Sequence, residues 1–180
     1  MRVVLPLSLS AALLTACATP YAPQAGAPTA MVRFTSNVGD SFGFATTDLA
    51  QCPSPPTQDI GGINGLSPGE VSTLKMFGTS PKREGRMIER VIHADRPFPV
   101  LASSSRGATA YVPGYSCSVG RTFTPKAGHQ YEVNYSYNEP YCRVEVVELV
   151  SKGDTEFQRV PEPSMSPLQG RRLQDFCVRK

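Results

Sequence analysis

Residues 130–137, QYEVNYSY, alternate without exception between polar side chains and large aromatic or β-branched ones. The second set comprises Tyr131, Val133, Tyr135 and Tyr137. Successive side chains of a β-strand point to opposite faces, so a period of two places this set on one face. Aromatic and β-branched residues also suit the pleated surface of a sheet. The stretch therefore predicts a β-strand, and such a strand requires a sheet around it.

Two segments that flank this strand carry a similar alternation. Upstream, residues 116–123 alternate and are followed by TPKAGH, which has the Pro and Gly expected of a turn. Downstream, residues 138–140 (NEP) predict a second turn before CRVEVVELV at residues 142–150. We therefore expect a three-stranded antiparallel meander over residues 116–150.

Other short apolar segments predict further strands. Residues 31–36 indicate an opening strand, residues 86–93 and 98–103 indicate a hairpin, and residues 66–71 resemble the start of a one- or two-turn helix. The 180 residues include 17 Pro and 15 Gly, which favours short elements joined by turns. About eight such strands indicate an all-β domain over residues 31–160, a small antiparallel β-sandwich of the immunoglobulin or transthyretin type.

The N-terminal end has the pattern of an export signal. Met1 and Arg2 form a positive start, and the apolar run from Val3 to Leu14 is about 12 residues long. That run is too short to span a hydrocarbon core of about 30 Å as a helix. Its length suits the central region of a signal peptide. Residues 1–16 are therefore expected to be removed on export.

The sequence LTAC at residues 14–17 resembles the bacterial lipobox, in which a large apolar residue and two small residues precede an obligatory cysteine. The resemblance implies that the thiol of Cys17 receives a diacylglyceryl group and that cleavage before Cys17 frees an amine for a further chain such as palmitate. Because two or more acyl chains anchor stably, the expected partner is a membrane. Ala18 follows where inner-membrane retention typically uses Asp, which implies the periplasmic face of the outer membrane. The alternative is an ordinary signal peptide with a cysteine nearby by chance.

Two segments outside the predicted domain are expected to be irregular. Residues 17–30 comprise Cys17 and a tether rich in Pro and Ala, which in extended form would reach about 40 Å. Tyr21, within it, is predicted to be solvated or to contact lipid headgroups. Residues 161–180 form a Pro-rich C-terminal tail, held only if Cys177 is bridged.

The cysteine count agrees with lipidation of Cys17, because it leaves an even number of the five cysteines in the chain. An oxidising compartment favours disulfides among the other four, with reduced buried thiols as the alternative. These four are Cys52, Cys117, Cys142 and Cys177. In the predicted meander Cys117 and Cys142 lie two strand spacings apart, about 9.5 Å, whereas a disulfide needs Cα atoms within about 7 Å. We therefore prefer Cys52–Cys117 with Cys142–Cys177 and leave Cys52–Cys142 with Cys117–Cys177 open.

Candidate catalytic patterns are weak. Ser72 and Lys75 match S-x-x-K, the serine–lysine pattern of β-lactam-binding enzymes, but the partner motifs stand in the wrong order. His93 and His129 have no acidic cluster beside them and are expected to be a strand residue and a turn residue. The cysteine spacings include no CxxC. We therefore expect no catalytic, cofactor-binding or metal-binding residues.

The charge pattern does not favour nucleic acid as a partner. The formal net charge is only +3, and the basic residues are not gathered into one run. A mixed-charge stretch at residues 83–96 is interpreted as a solvated face. It contains Arg83, Glu84, Arg86, Glu89, Arg90, Asp95 and Arg96.

Residues 123–133 (FTPKAGHQYEV) and 142–149 (CRVEVVEL) resemble small, uncharacterised bacterial outer-membrane lipoproteins with a β-sandwich body, which implies fold and location and no activity. The function expected is therefore non-catalytic, a protein-interaction or structural role in the envelope. An exposed tyrosine face would favour it, because tyrosine gives a large contact area at low entropic cost. The candidates are Tyr111, Tyr115, Tyr135, Tyr137 and Tyr141. The alternative is an envelope hydrolase or a small-ligand carrier, which would need a cleft lined by polar groups.

Overall fold

The computed structural model describes residues 19–39, 41–52, 55–63, 74–78, 87–153 and 156–168, and the regular secondary structure within them is almost entirely β-strand. One turn of 3-10 helix spans Leu49–Gln51. The strands are β1 (Thr19–Pro20), β2 (Thr29–Ser36), β3 (Ser41–Thr47), β4 (Thr57–Ile63), β5 (Met87–His93), β6 (Phe98–Arg106), β7 (Tyr115–Phe123), β8 (Gln130–Asn138), β9 (Tyr141–Ser151), β10 (Phe157–Pro161) and β11 (Ser166–Pro167).

The strands form two packed sheets, which confirms the predicted β-sandwich. A six-stranded sheet has the order β1-β4-β3-β6-β7-β11, and a five-stranded sheet has the order β10-β9-β8-β2-β5. Most neighbours are antiparallel, and the exceptions among the described strands are β1 beside β4 and β2 beside β8. The finer likeness to immunoglobulin or transthyretin domains stays a prediction.

The core lies between the sheets, and the predicted aromatic face of β8 points into it, although the opposite face of β8 is also buried from Gln130 to Asn134. Tyr131, Val133 and Tyr135 of β8 are fully buried, as are Val32 and Phe34 of β2. Both buried tyrosines keep a partner for the hydroxyl group: that of Tyr131 accepts the backbone N–H of Lys126 at 2.9 Å, and that of Tyr135 shares a 2.7 Å hydrogen bond with Ser104. Burial raises the pKa of Tyr131 to about 12. The aromatic face of QYEVNYSY is therefore the centre of the fold.

The predicted meander is wrong in its first strand. β8 pairs with β9 as expected, but β7 pairs with β6 and β11 in the opposite sheet. The predicted hairpin is wrong in the same way, because β5 lies in the five-stranded sheet and β6 in the six-stranded one. Both connections cross from one sheet to the other. Alternation identifies which residues face a core, but it does not identify the sheet to which a strand belongs.

The sandwich has two ends, which we name by their contents. The strap end contains the start of β2, β6 and β8 and the end of β5 and β7, since Thr29 pairs with His93 and Phe98 pairs with Phe123. The tyrosine end contains the end of β6 and β8 and the start of β7 and β9. There Arg106 pairs with Tyr115.

Residues 19–28, which we call the N-terminal strap, lie against the strap end. Only Thr19 and Pro20 form a strand, so the backbone is largely irregular as predicted, but the prediction of a free tether is wrong for these residues. Thr19 pairs with Gln58 of β4 in parallel. The backbone N–H of Tyr21 donates to the carbonyl of Asp59 at 2.8 Å. Because Pro and Ala carry no periodic pattern, nothing in the local sequence distinguishes a docked segment of this kind from a free linker.

The C-terminal tail is also partly structured. Ser166 and Pro167 form β11 against β7, and Leu168 is buried over Gly120. A Cβ atom added to Gly120 would lie 2.6 Å from Leu168 Cδ2, so only glycine leaves room for the leucine there. The expectation of an irregular tail is therefore wrong for Pro161, which ends β10, and for Ser166 and Pro167, while residues 162–165 form a turn without regular structure. Residues 169–180 lie outside the described part of the chain.

The mixed-charge stretch is not simply a solvated face, because Glu89 is buried on the outer side of the five-stranded sheet. Arg33 Nε donates to Glu89 Oε1 at 3.0 Å, and Arg33 also lies 3.8 Å from Glu132. Arg159 donates two hydrogen bonds to Glu132, at 3.2 and 3.3 Å. Residues 74–78 cover this network, with the carbonyls of residues 76 and 77 accepting from Arg33. The charges are paired and hydrogen-bonded, as burial requires.

Candidate functional site

One disulfide among the described residues joins the two sheets at the tyrosine end. Cys117 of β7 and Cys142 of β9 are bonded, with their Cα atoms 6.1 Å apart. The preferred pairs Cys52–Cys117 and Cys142–Cys177 are therefore wrong, as is the open alternative. The physical reason is the misplaced strand: across the interior of the sandwich, β7 and β9 face each other instead of lying two spacings apart in one sheet.

Two other predicted site residues, Cys17 and Cys177, lie outside the described residues, as does Ser72 of the weak S-x-x-K match. Cys52 is exposed, follows the 3-10 helix and is itself disulfide-bonded. The prediction that Cys52, Cys117 and Cys142 are oxidised is thus confirmed.

The tyrosine end carries an ordered aromatic stack. The rings of Tyr115 and Tyr137 lie 4.2 Å apart at 8°, one from each sheet. The guanidinium of Arg106 lies over the Tyr115 ring at 5.2 Å, and its Nη2 donates to the carbonyl of Pro113 at 3.3 Å. Such cation–π contacts are worth about 0.5–1 kcal/mol at exposed sites. The arrangement holds a half-exposed aromatic surface in one conformation.

A loop beside this stack presents another tyrosine to solvent. Tyr111 is 96% exposed, at the tip of the segment between β6 and β7. The Thr109 hydroxyl accepts the backbone N–H of Val112 at 3.0 Å, and Thr109 N–H donates to the carbonyl of Val112. Tyr141, at the start of β9, is 78% exposed. Two tyrosines are thus offered to solvent at the end where the stack lies, and Tyr111 is on a loop closed by its own hydrogen bonds.

The strap end contains a cleft of about 580 Å³, a size typical of small-molecule sites. Its walls come from four separate parts of the chain: the N-terminal strap, the β3–β4 connection, β4 and the β5–β6 connection. The lining residues include Tyr21, Gln24, Asp48, Leu49, Gln51, Gln58, His93, Arg96, Pro97 and Phe98. Sequence reasoning missed this cleft, because segments so far apart carry no common local pattern.

His93 links the strap to the cleft. Its Nε2 accepts the backbone N–H of Gln24 at 3.3 Å, and its own backbone N–H donates to the Tyr21 hydroxyl at 2.9 Å. An accepting Nε2 places the ring proton on Nδ1 in the neutral form. Burial lowers the pKa of His93, and the nearby Arg96 lowers it further. His93 is a strand residue, as predicted, and holds the N-terminal segment.

The cleft contains one pair of opposite charges. Asp48 Oδ1 lies 3.7 Å from Arg96 Nη1 and also accepts the backbone N–H of Ala50 at 3.0 Å. Asp48 thereby begins the 3-10 helix, in the manner of an N-terminal cap. Both side chains are part-exposed. The pair neutralises itself, so the cleft favours neither an anion nor a cation by charge alone.

A second, shallower depression lies on the outer face of the six-stranded sheet. Hydroxyl groups and glycines make up most of its lining: Ser41, Gly43, Gly62, Ser103, Ser105, Ser116 and Ser118. The strand register explains this, because Ser41, Ser105 and Ser116 are cross-strand partners. The depression is open and contains no titratable group besides Asp59.

The described residues contain no group of three or more His, Cys, Asp or Glu that could hold a metal ion. His129, in the β7–β8 turn as predicted, instead pairs with Glu148, its Nδ1 lying 2.6 Å from Glu148 Oε1. Nor do these residues form a helix long and apolar enough to cross a membrane. Comparison of the chain with protein-family models, curated proteins and solved structures finds no match.

Proposed function

We propose that the protein is a non-catalytic lipoprotein of the bacterial outer membrane, anchored through Cys17 and working by protein–protein contact in the periplasm. The observation that carries the contact role is the tyrosine end. Tyrosine and arginine are enriched where protein interfaces are buried most deeply. A binding surface that is already rigid loses less entropy on association. The stack of Tyr115 on Tyr137 and the nearby disulfide supply that rigidity.

Photo-crosslinking in intact cells tests the contact role. A photoreactive amino acid placed at Tyr111 or Tyr141 is expected to yield a discrete adduct with an envelope protein, identified by mass spectrometry. The matched control is Lys126, which is also exposed but belongs to the strap end. Adducts of the same partner and yield from all three positions, or from none, would contradict a role for the tyrosine end.

The lipid anchor rests on the LTAC motif and the apolar run before it. Cys17→Ser is expected to leave an unprocessed precursor that incorporates no labelled fatty acid, because the nucleophile for diacylglyceryl transfer is lost. Normal processing and labelling of the variant would show that the acyl chains are attached elsewhere than at Cys17.

Disulfide mapping tests the same proposal independently. Since Cys117 and Cys142 bond to each other, the partner of Cys52 within the chain is either Cys17 or Cys177. A lipidated Cys17 has no free thiol, so the proposal requires Cys52–Cys177. Non-reducing peptide mapping of the mature protein should yield that crosslinked peptide. A Cys17–Cys52 peptide would overturn lipidation outright.

The cleft supports a second candidate, a small-ligand carrier. A hydrolase is less favoured. A histidine that acts as a general base needs an available nitrogen lone pair, and the Nε2 lone pair of His93 already accepts the backbone N–H of Gln24. Native mass spectrometry of protein purified from its own envelope tests the carrier: a co-purifying small molecule that is lost in Arg96→Ala would favour it. Fluorophosphonate labelling that disappears in Ser72→Ala would instead favour a hydrolase.

A further inference from the structure

The N-terminal strap constrains how the sandwich can sit relative to a lipid anchor. Thr19 is paired with Gln58, next to the first residue of β4, and this lies at the strap end of the six-stranded sheet. Cys17 is only two residues upstream of Thr19. Two residues span at most about 7 Å, whereas a free tether over residues 18–30 would reach about 40 Å. Docking of the strap therefore removes most of the slack between anchor and body.

We propose that the docked strap orients the protein on the membrane, with the strap end against the lipid surface and the tyrosine end pointing away from it. This inference rests on the proposed lipidation of Cys17. The strands set the height of the tyrosine end: nine residues of β8 at about 3.3 Å each place it about 30 Å from the strap end. The periplasmic contact surface would thus be presented by the sandwich itself and not by a flexible linker.

Several contacts keep the strap docked. The Tyr21 ring packs edge-on against His93 and Phe98, with ring centroids 6.1 and 5.6 Å away. Its hydroxyl accepts the His93 backbone N–H, and Gln24 donates to the His93 ring. Downstream, the carbonyl of Pro28 accepts the N–H of Ala94 at 2.9 Å. These contacts lie along the whole strap, so it is fixed at more than one point.

The orientation also assigns a place to the cleft. The β3–β4 connection, which contributes Asp48 and Gln51, precedes the strand that pairs with Thr19. In the proposed arrangement the cleft therefore lies in the membrane-proximal part of the body, and the tyrosine stack lies in the distal part. A ligand of the cleft would meet the protein close to the lipid headgroups, while a protein partner would meet it farther out.

Energy transfer from single tryptophans measures this orientation, because the natural chain contains no Trp. Thr57→Trp marks the strap end beside β1, and Tyr141→Trp marks the tyrosine end; both positions are exposed. Each variant is produced in a bacterial host from the complete sequence, and the mature protein is reconstituted into phosphatidylethanolamine–phosphatidylglycerol vesicles that carry a dansyl headgroup. Transfer to dansyl is expected to be several-fold stronger from residue 57 than from residue 141. Tyr21→Ala, combined with either marker, releases the ring that holds the strap and should reduce the difference.

The outcomes are distinguishable. Equal transfer from both markers in a protein that floats with the vesicles would overturn the orientation and leave the lipoprotein proposal standing, as would stronger transfer from residue 141. Failure of the protein to float with the vesicles would overturn lipidation and the orientation with it. Circular dichroism of each variant checks that the sandwich is folded, and Tyr111→Trp, which is also exposed at the tyrosine end, replaces Tyr141→Trp as the distal marker if that variant is unfolded.

Discussion

The two ends of the sandwich both use tyrosine, but in opposite ways. At the strap end Tyr21 is partly buried: its hydroxyl accepts a hydrogen bond and its ring lies between His93 and Phe98. At the tyrosine end Tyr111 and Tyr141 face solvent. The difference is whether another part of the chain returns to pack against the ring. Tyr21 therefore contributes to holding the fold, whereas the exposed pair is available to a partner.

The ends also differ in how the two sheets are closed together. The Cys117–Cys142 disulfide closes the tyrosine end covalently. The strap closes the other end through hydrogen bonds and aromatic packing. One of these hydrogen bonds is accepted by the ring of His93, whose pKa is lowered by burial. Stability at the tyrosine end should accordingly depend on redox state, and stability at the strap end should depend on pH.

The largest effect is expected from opening the tyrosine end. Cys117→Ala with Cys142→Ala removes a bond that closes a loop of 25 residues. In the chain-entropy model the free energy of unfolding should fall by about 3.5 kcal/mol. Urea unfolding of the oxidised double variant measures this decrease. The control is the parent protein, in which Cys117 and Cys142 remain bonded. A change below about 1 kcal/mol would show that the disulfide does not constrain the unfolded chain as this model assumes.

A smaller decrease in the free energy of unfolding is expected when the docking of the strap is weakened. Tyr21→Ala should lower the free energy of unfolding by about 2 kcal/mol, less than the cost for a fully buried aromatic residue. Tyr21→Phe keeps the ring but leaves the His93 N–H without its acceptor, and should cost about 1 kcal/mol. Tyr111→Ala is the matched control, since a surface change should stay within about 0.5 kcal/mol. Equal losses for Tyr21→Ala and Tyr111→Ala would contradict the contrast between the ends.

The smallest effect is the pH dependence of the strap. The ordinary pKa of His93, 6.5, is lowered in the folded protein, so the unfolded chain binds the proton first as the pH falls. The free energy of unfolding should decrease as pH falls below 6.5 and level off once folded His93 is also protonated. His93→Gln keeps an acceptor for Gln24 and should remove this part of the slope.

Asp48 and Arg96 face the same cleft, and carboxylates elsewhere titrate at lower pH, so the comparison is between variants at each pH. His129→Gln removes the other histidine and none of the strap contacts. It should retain the His93 contribution. A slope that survives in His93→Gln and disappears in His129→Gln would contradict a role for the strap in the pH dependence.

Local periodicity predicted much of the secondary structure. Residues 130–137, 31–36 and 98–103 all lie within strands at or near their predicted bounds, because a period of two reports which side of a strand is buried. The same signal could not report that Glu89 is buried on the other side of its sheet. Its partner Arg33 is distant in sequence, and only the pairing of β2 with β5 brings the two side chains together.

The sequence by itself determined the strand pattern, the all-β class and the aromatic core face of β8, since these depend on residues a few positions apart. It also carries the LTAC motif on which the proposed anchor depends. The tertiary structure alone decided that β7 crosses to the opposite sheet, that Cys117 therefore meets Cys142, and that Tyr21 turns a predicted tether into a docked strap. Contacts of this kind join segments separated by tens of residues, so their free energy depends on the whole arrangement of the chain and leaves no local pattern.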